Sequence, residues 1–512
     1  MAPSVTYSST RGSATEASSS FREVVLAGLC KDKGLFVPDT IPTVGRGELE
    51  SWRTLNYAEL STRILAKYIG PDQVPAEDLS RIITTACGNF RHPQVTPLQK
   101  VNGHYVLELF HGPTFAFKDV ALQMLGGFFE YFLKQGSNGG RLAVLGATSG
   151  DTGSAAIAGL RGKEGVDCVI LYPKGRVSEI QERQMTTIMD ENIHCCAVEG
   201  TFDDCQDIVK GAFQDAAFRD EVKLGAVNSI NWARVLAQTT YYFWSYLRVT
   251  DTNKEPGTKV SFSVPTGNFG DILAGYYCRR MGLPIGELVV ATNENDILHR
   301  FFQNGDYSRR DINKTISPSM DICVSSNFER YLFHLMDDDP EKLSNLMKAF
   351  EATSRLTLSG RTLARAQEDF KSAKCDTAQT LDVIKTYKEK HGYMLCPHSA
   401  VGVSALDQLD MVKDTSVALA TAHEAKFPDA VKMAVNPLPE APPELARLWK
   451  MKTRSQVCDN DLAAVEDFMR KRIRERLERG KAVVQYGKWV LGGAFVAAVL
   501  GVVAVAVTRR KR

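Results

Sequence analysis

An α/β fold, with parallel sheets covered by helices on both faces, is predicted for this chain of 512 residues. Three observations predict it. Strand-like apolar runs alternate with helical ones through the long middle, the pattern of successive βαβ units. Two of those strands run directly into glycine-containing turns that open helices, at 146–154 and 265–271. The composition, 44% hydrophobic and 24% charged, is that of a folded globular chain. At roughly 150 residues per domain the length suggests about three domains.

The elements follow in order. Residues 21–38 begin with an apolar-periodic helix (Val24, Val25, Leu26, Leu29) and continue into Gly34-Leu35-Phe36-Val37-Pro38. Residues 55–90 read as further helices. Strands are expected at 105–110, 141–146, 168–172, 193–198, 260–264 and 288–292, with a last short one at 417–421. Helices are expected between them at 120–133, from about 153, and at 178–188, 204–213, 231–248 and 271–281. Residues 335–390 are helical and charged. No internal repeat is present.

Charge and cysteine content narrow the function classes. Lys and Arg number 62 against 60 Asp and Glu, a net +2, so no bulk basic field indicates nucleic acid. Eleven cysteines without a C-x-x-C pair, two of them adjacent at Cys195 and Cys196, point to buried thiols in a reducing compartment rather than a disulfide framework. The nine histidines form no metal-binding spacing, so no metal is expected.

Chemistry concentrates in a few segments. In His111-Gly112-Pro113-Thr114-Phe115-Ala116-Phe117-Lys118-Asp119, one lysine follows a strand and a Gly-Pro turn and starts a helix. Desolvation among aromatics and the positive helix N-terminus both lower a lysine pKa, which suits Schiff-base chemistry. A solvated lysine at a helix start fits the same residues. Gly146-Ala147-Thr148-Ser149-Gly150-Asp151-Thr152-Gly153-Ser154 and Pro265-Thr266-Gly267-Asn268-Phe269-Gly270-Asp271 present backbone N–H groups at helix N-termini, where an anion is favoured. Ordinary helix caps use the same residue types. Neither is a Walker or G-x-G-x-x-G loop, which excludes ATP of the P-loop kind. Asn228-Ser229-Ile230-Asn231-Trp232-Ala233-Arg234 offers amide, hydroxyl and guanidinium groups suited to a phosphate, or a cap followed by a surface arginine. Thr421 ends an apolar strand, where its hydroxyl can bond a neutral ring nitrogen or close a simple turn.

Taken together with Tyr7-Ser8-Ser9-Thr10-Arg11-Gly12, Gly34-Leu35-Phe36-Val37-Pro38, Ser325-Ser326-Asn327-Phe328-Glu329-Arg330 and Thr421-Ala422-His423, these segments resemble threonine synthase of the long bacterial and fungal type. The resemblance runs from about Tyr7 to about Phe468. It implies a fold-type-II pyridoxal-phosphate enzyme, similar to the tryptophan synthase β chain, with two open α/β sheets and the cofactor between them. The implied reaction converts O-phospho-L-homoserine and water to L-threonine and phosphate. By resemblance Lys118 is the catalytic Schiff-base lysine. Gly267, Asn268, Phe269, Gly270 and Asp271 hold the cofactor phosphate, Thr421 bonds the pyridine nitrogen, and Asp151 lies near the phenolic oxygen. Thr148, Ser149 and Thr152 hold the substrate carboxylate, and Asn228, Ser229 and Arg234 its phosphate. Glu424 departs from the pattern, which usually has proline before Ala425-Lys426-Phe427; no loss of activity is expected from it. The alternatives are a phospho-lyase that releases 2-oxobutyrate, which needs the same residues, and a non-catalytic membrane-tethered scaffold.

The expected organisation is an N-terminal region at 1–100, a catalytic α/β region at 101–471, a basic linker at 472–488 and a C-terminal transmembrane helix at 489–507. That last run is 19 uninterrupted apolar residues followed by Arg509-Arg510-Lys511-Arg512. As a helix it is about 28 Å long, close to the ~30 Å hydrocarbon core. A buried core helix competes with this reading. The expectation is a tail anchor that leaves the enzyme in the cytosol, with the membrane as partner.

Overall fold

The computed structural model of the chain describes residues 4–12, 18–136, 140–250, 255 and 257–479. In chain order, β1 (Tyr7–Ser9) and β2 (Phe36–Pro38) pair antiparallel as a separate ribbon, and β3 (Leu98–Val101) and β4 (His104–Glu108) form a hairpin. β5 (Leu142–Ala147), β6 (Val166–Pro173), β7 (Ile193–Val198) and the two-residue β8 (Leu224–Gly225) come next. They are followed by β9 (Val260–Pro265), β10 (Ile285–Thr292), β11 (Lys371–Lys374), β12 (Ser416–Ala420) and β13 (Gln456–Cys458). Two larger sheets result, one ordered β11-β10-β9-β12-β4-β3 and the other β13-β7-β6-β5-β8. Apart from the β3–β4 hairpin, neighbours in both sheets run parallel.

The sequences of the central strands explain this arrangement. Every residue of β6, β9 and β12 is buried, as expected of parallel strands covered on both faces. The helix Trp232–Val249 is buried at every position except Arg248, so it is an interior element rather than an amphipathic surface one. Its aromatic rings pack against the N-terminal helices: Trp244 lies 5.6 Å from Tyr57 and Phe243 5.8 Å from Trp52. The helices Lys118–Lys134 and Asp151–Leu160 cross at glycines, and a Cβ on Gly126 would strike the carbonyl oxygen of Gly159. That backbone contact joins the element after β4 to the element after β5, and so one sheet to the other.

One expectation is corrected. The fold class holds as two α/β sheets but not in its membrane helix. Among the described residues no helix is long and apolar enough to cross a membrane. Trp232–Val249 has 18 residues, yet it carries Arg234, Gln238 and Arg248 and is enclosed by protein. The run 489–507 lies outside the described residues, and the expected membrane partner and tail-anchored location have no support among those described. The helix at 462–479 instead packs Val465, Phe468 and Met469 against Cys196 and Val198 of the five-stranded sheet.

The cysteines follow the expectation of free thiols without a disulfide framework, with one exception. Cys196 in β7 is bridged to Cys458 in β13, 262 residues away, while the other nine cysteines are free. The parallel β13–β7 pairing sets these distant segments side by side, which no local spacing announces.

Candidate functional site

Lys118 is positioned by a turn that is locked before its helix begins. Thr114 donates its N–H and its hydroxyl to the two carboxylate oxygens of Asp119, each at 2.8 Å. The Phe117 N–H donates to the Thr421 carbonyl at 2.7 Å, and the His423 N–H to the Phe115 carbonyl at 3.1 Å. The turn is thereby stitched to the chain leaving β12. Thr421 is buried, and its own N–H donates to Ser399 Oγ at 3.0 Å. The Lys118 amine lies 4.6 Å from the centre of the Phe117 ring and 3.7 Å from an Asp151 oxygen. Burial pushes its pKa down, Asp151 opposes, and Lys426 and Arg234 add to the depression. The environment is the desolvated one expected from the aromatics beside it.

The loop after β5 is held from within. Thr148 Oγ1 accepts the N–H groups of Gly150 at 2.9 Å and Gly153 at 2.8 Å. Thr148 is buried, whereas Ser149 is exposed and Thr152 partly so. Asp151 starts the helix and is buried. Its carboxylate accepts from Gln181 Nε2 at 2.9 Å and Ser319 Oγ at 3.2 Å, and pairs with Lys426 at 2.7 Å.

The loop after β9 carries Phe269 at φ 62°, and a Cβ on Gly267 would come within 3.1–3.3 Å of Ile322, Ser319 and Met320. A side chain at 267 would crowd these neighbours, so the loop's backbone lies close against the 319–322 segment. Asp271 accepts the hydroxyls of Tyr241 at 2.6 Å and Tyr242 at 2.9 Å on one oxygen, while its other oxygen has no partner among the described residues. Burial raises its pKa to about 6. Ser325–Asn327 joins this loop to the Asn228 segment. Asn327 Nδ2 donates to the carbonyls of Asn268 at 3.1 Å and Ser229 at 3.2 Å, and Ser326 Oγ bonds Ser229 Oγ at 3.2 Å.

Arg234 is the most informative side chain. It is 4% exposed, and among the described residues its Nη1 reaches only the Val227 carbonyl at 3.3 Å and its Nε has no partner. Burial lowers its pKa to about 10. A buried guanidinium without an anion is costly, and an anionic ligand would remove that cost. Together, a desolvated lysine, a bare-backbone loop at a helix start, a strand-end hydroxyl and an unsatisfied arginine fit a carbonyl-bearing phosphorylated cofactor and a second anion. All the expected site residues lie on segments that these bonds tie together. Asn228 is exposed, whereas Ser229 is partly buried. Lys426, Gln181, Ser319, His398, Tyr241 and Tyr242 were not expected from sequence. Only Lys426 had a local signal, its place in the Ala425-Lys426-Phe427 stretch that follows Thr421.

This architecture defines a pyridoxal-phosphate-dependent enzyme, and the family model described as "Pyridoxal-phosphate dependent enzyme" matches residues 90–421. Flanking it, "Threonine synthase N terminus" matches 6–87 and "Threonine synthase, C-terminal" matches 399–469. The chain belongs to the threonine synthase family. Threonine synthase of Schizosaccharomyces pombe is 48% identical over 85% of this chain and 90% of its own. That of Pseudomonas aeruginosa is 45% identical over 90% and 97%. The structure of pyridoxal-phosphate-bound threonine synthase from Brucella melitensis superposes with a TM-score of 0.87 at 43% identity, covering 92% of this chain and 99% of that one.

Proposed function

We infer that the chain is a lyase that converts O-phospho-L-homoserine and water to L-threonine and phosphate, the last step of threonine biosynthesis. The observation that carries this reading is Arg234, a buried guanidinium with an unpartnered Nε that acts electrostatically on Lys118. A substrate with a phosphate at its far end supplies the missing anion. Pyridoxal phosphate, when bound, supplies the electron sink that makes the protons on substrate Cα and Cβ removable. The chain's own groups do the rest. Lys118 holds the cofactor, and its amine, kept basic enough to take a proton and desolvated enough to release it, carries protons at Cα and Cβ. The 267–271 loop receives the cofactor phosphate on bare backbone. Thr421 offers a neutral hydroxyl rather than a carboxylate to the ring nitrogen, which moderates the sink in a way suited to elimination and replacement. Thr148, Ser149 and Thr152 orient the substrate carboxylate, and Asn228, Ser229 and Arg234 its phosphate.

The test is incubation with O-phospho-L-homoserine, with phosphate and amino acid followed together. Equimolar threonine and phosphate are expected. Phosphate with 2-oxobutyrate in place of threonine would overturn the assignment in favour of a phospho-lyase, and neither product would overturn it altogether.

A further inference from the structure

We propose that Lys426 is a positioning residue of the Lys118 site: it serves as the fixed counter-charge of Asp151, which frees Lys118 to lose and regain its proton. The proposal rests on the reading of Lys118 as the cofactor lysine and proton carrier.

The geometry is unequal in an informative way. Two lysines face one buried carboxylate, Lys426 at 2.7 Å and Lys118 at 3.7 Å. The first is a hydrogen-bonded ion pair and the second is too long for a hydrogen bond. The Lys426 side chain is 0% exposed, and its amine also donates to the Thr114 carbonyl at 2.8 Å. It thus reaches from the one-turn helix Glu424–Lys426 to the turn that sets Lys118 and to the helix start on the opposite sheet. A carboxylate buried with a single lysine would hold that lysine charged, because losing the proton would leave an unpaired buried anion. With Lys426 bound to Asp151, deprotonating Lys118 leaves the pair intact.

The surrounding groups agree. The charged and titratable side chains acting on Asp151 are Lys426, Lys118 and His398, and those acting on Lys118 include Arg234 and Asp119. Burial works against ionisation of Asp151, yet Lys426 foremost, then Lys118, hold its carboxyl well below the usual range. Gln181 and Ser319 fill further acceptor sites on the carboxylate. His398 accepts the Ser319 N–H at 3.1 Å, and burial lowers its pKa to about 3, so it adds no standing charge.

The test compares Lys426→Met and Lys426→Arg with wild type in the pyridoxal-phosphate-loaded protein. One readout is the pH titration of the visible absorbance band, which needs no substrate; the other is the pH profile of kcat/KM. Removing a cation within a few ångströms raises the pKa of a neighbouring base by about one unit or more. In Lys426→Met both midpoints are expected to move up by that amount, a loss of about tenfold at pH values below the new midpoint. In Lys426→Arg they should stay near wild type. A folded methionine variant that titrates as wild type overturns the proposal. If that variant does not fold, Lys426→Gln is titrated in its place: the same upward shift of the absorbance midpoint supports the proposal, and a wild-type midpoint overturns it. Failure of wild type to release phosphate from O-phospho-L-homoserine would instead sink the functional reading, while the absorbance titration still judges Lys426.

Discussion

The two sheets meet at the site with different contributions. The six-stranded sheet brings the ends of three adjacent strands: the turn after β4 with Lys118, the loop after β9 with Gly267–Gly270, and Thr421 after β12. The five-stranded sheet brings the ends of two adjacent strands, the loop after β5 with Thr148–Asp151 and the segment after β8 with Asn228–Arg234. In both, the site forms at the carboxyl ends of parallel strands, the usual ligand position in open α/β sheets. The residues assigned to the cofactor fall almost wholly on the first sheet and those assigned to the substrate on the second. Asp151 is the exception, and it is also where Lys118 and Lys426 cross from one sheet to the other. The difference teaches that the charge balance of the site is a property of the boundary between the sheets and of neither sheet alone.

That division is open to test, beginning with the largest effect. Lys118→Ala on the six-stranded side should reduce kcat by about 10²- to 10⁴-fold or more, and abolish the visible band change on borohydride reduction. A variant that keeps substantial turnover removes the lysine from its role. Arg234→Ala on the other side should lower kcat/KM about 10- to 100-fold, since a charge-assisted hydrogen bond contributes roughly 1.5–3 kcal/mol. Titration of pyridoxal phosphate should show little change in its affinity. An equal loss of cofactor affinity would place Arg234 on the cofactor side and break the division.

Smaller effects probe the join and its surroundings. Gly126→Ala pushes a methyl group into the Gly159 carbonyl where the Lys118 and Asp151 helices cross. Overpacking there should cost about 1–3 kcal/mol in a denaturant melt, with kcat falling as the two sheets separate. Unchanged stability would show that the crossing has slack. Glu424 starts the one-turn helix that carries Lys426, where burial, with Glu108 adding to it, raises its pKa from 4.5 to about 7. A carboxyl whose pKa is raised on folding contributes stability that is complete below pH 4.5 and is lost as pH climbs through about 7. Glu424→Gln should flatten the decline of Tm across that window. A decline as steep as wild type would show that Glu424 does not titrate with folding.

What was legible in the sequence follows from the range of the forces involved. Strand and helix alternation, the three chemical loops and Lys118 itself are local patterns, set by side-chain periodicity and by glycine and hydroxyl residues at strand-to-helix turns. The expected strand at 168–172 is found as β6, longer by a few residues, and the expected helix at 120–133 begins at Lys118 itself. Short edge strands such as β11 and β13 escaped because Lys371–Lys374 and Gln456–Cys458 have little apolar periodicity and exist through their neighbours. The sequence by itself determined the sheet class, the family motifs and the place of Lys118 at a helix start. The tertiary structure alone decided that β13 lies beside β7 and bridges Cys458 to Cys196, that Arg234 is buried without an anion, and that Lys426 shares Asp151 with Lys118. Each of these depends on groups far apart in the chain meeting where water is excluded. Burial and pairing there set their energies, and neither can be read from neighbours along the sequence.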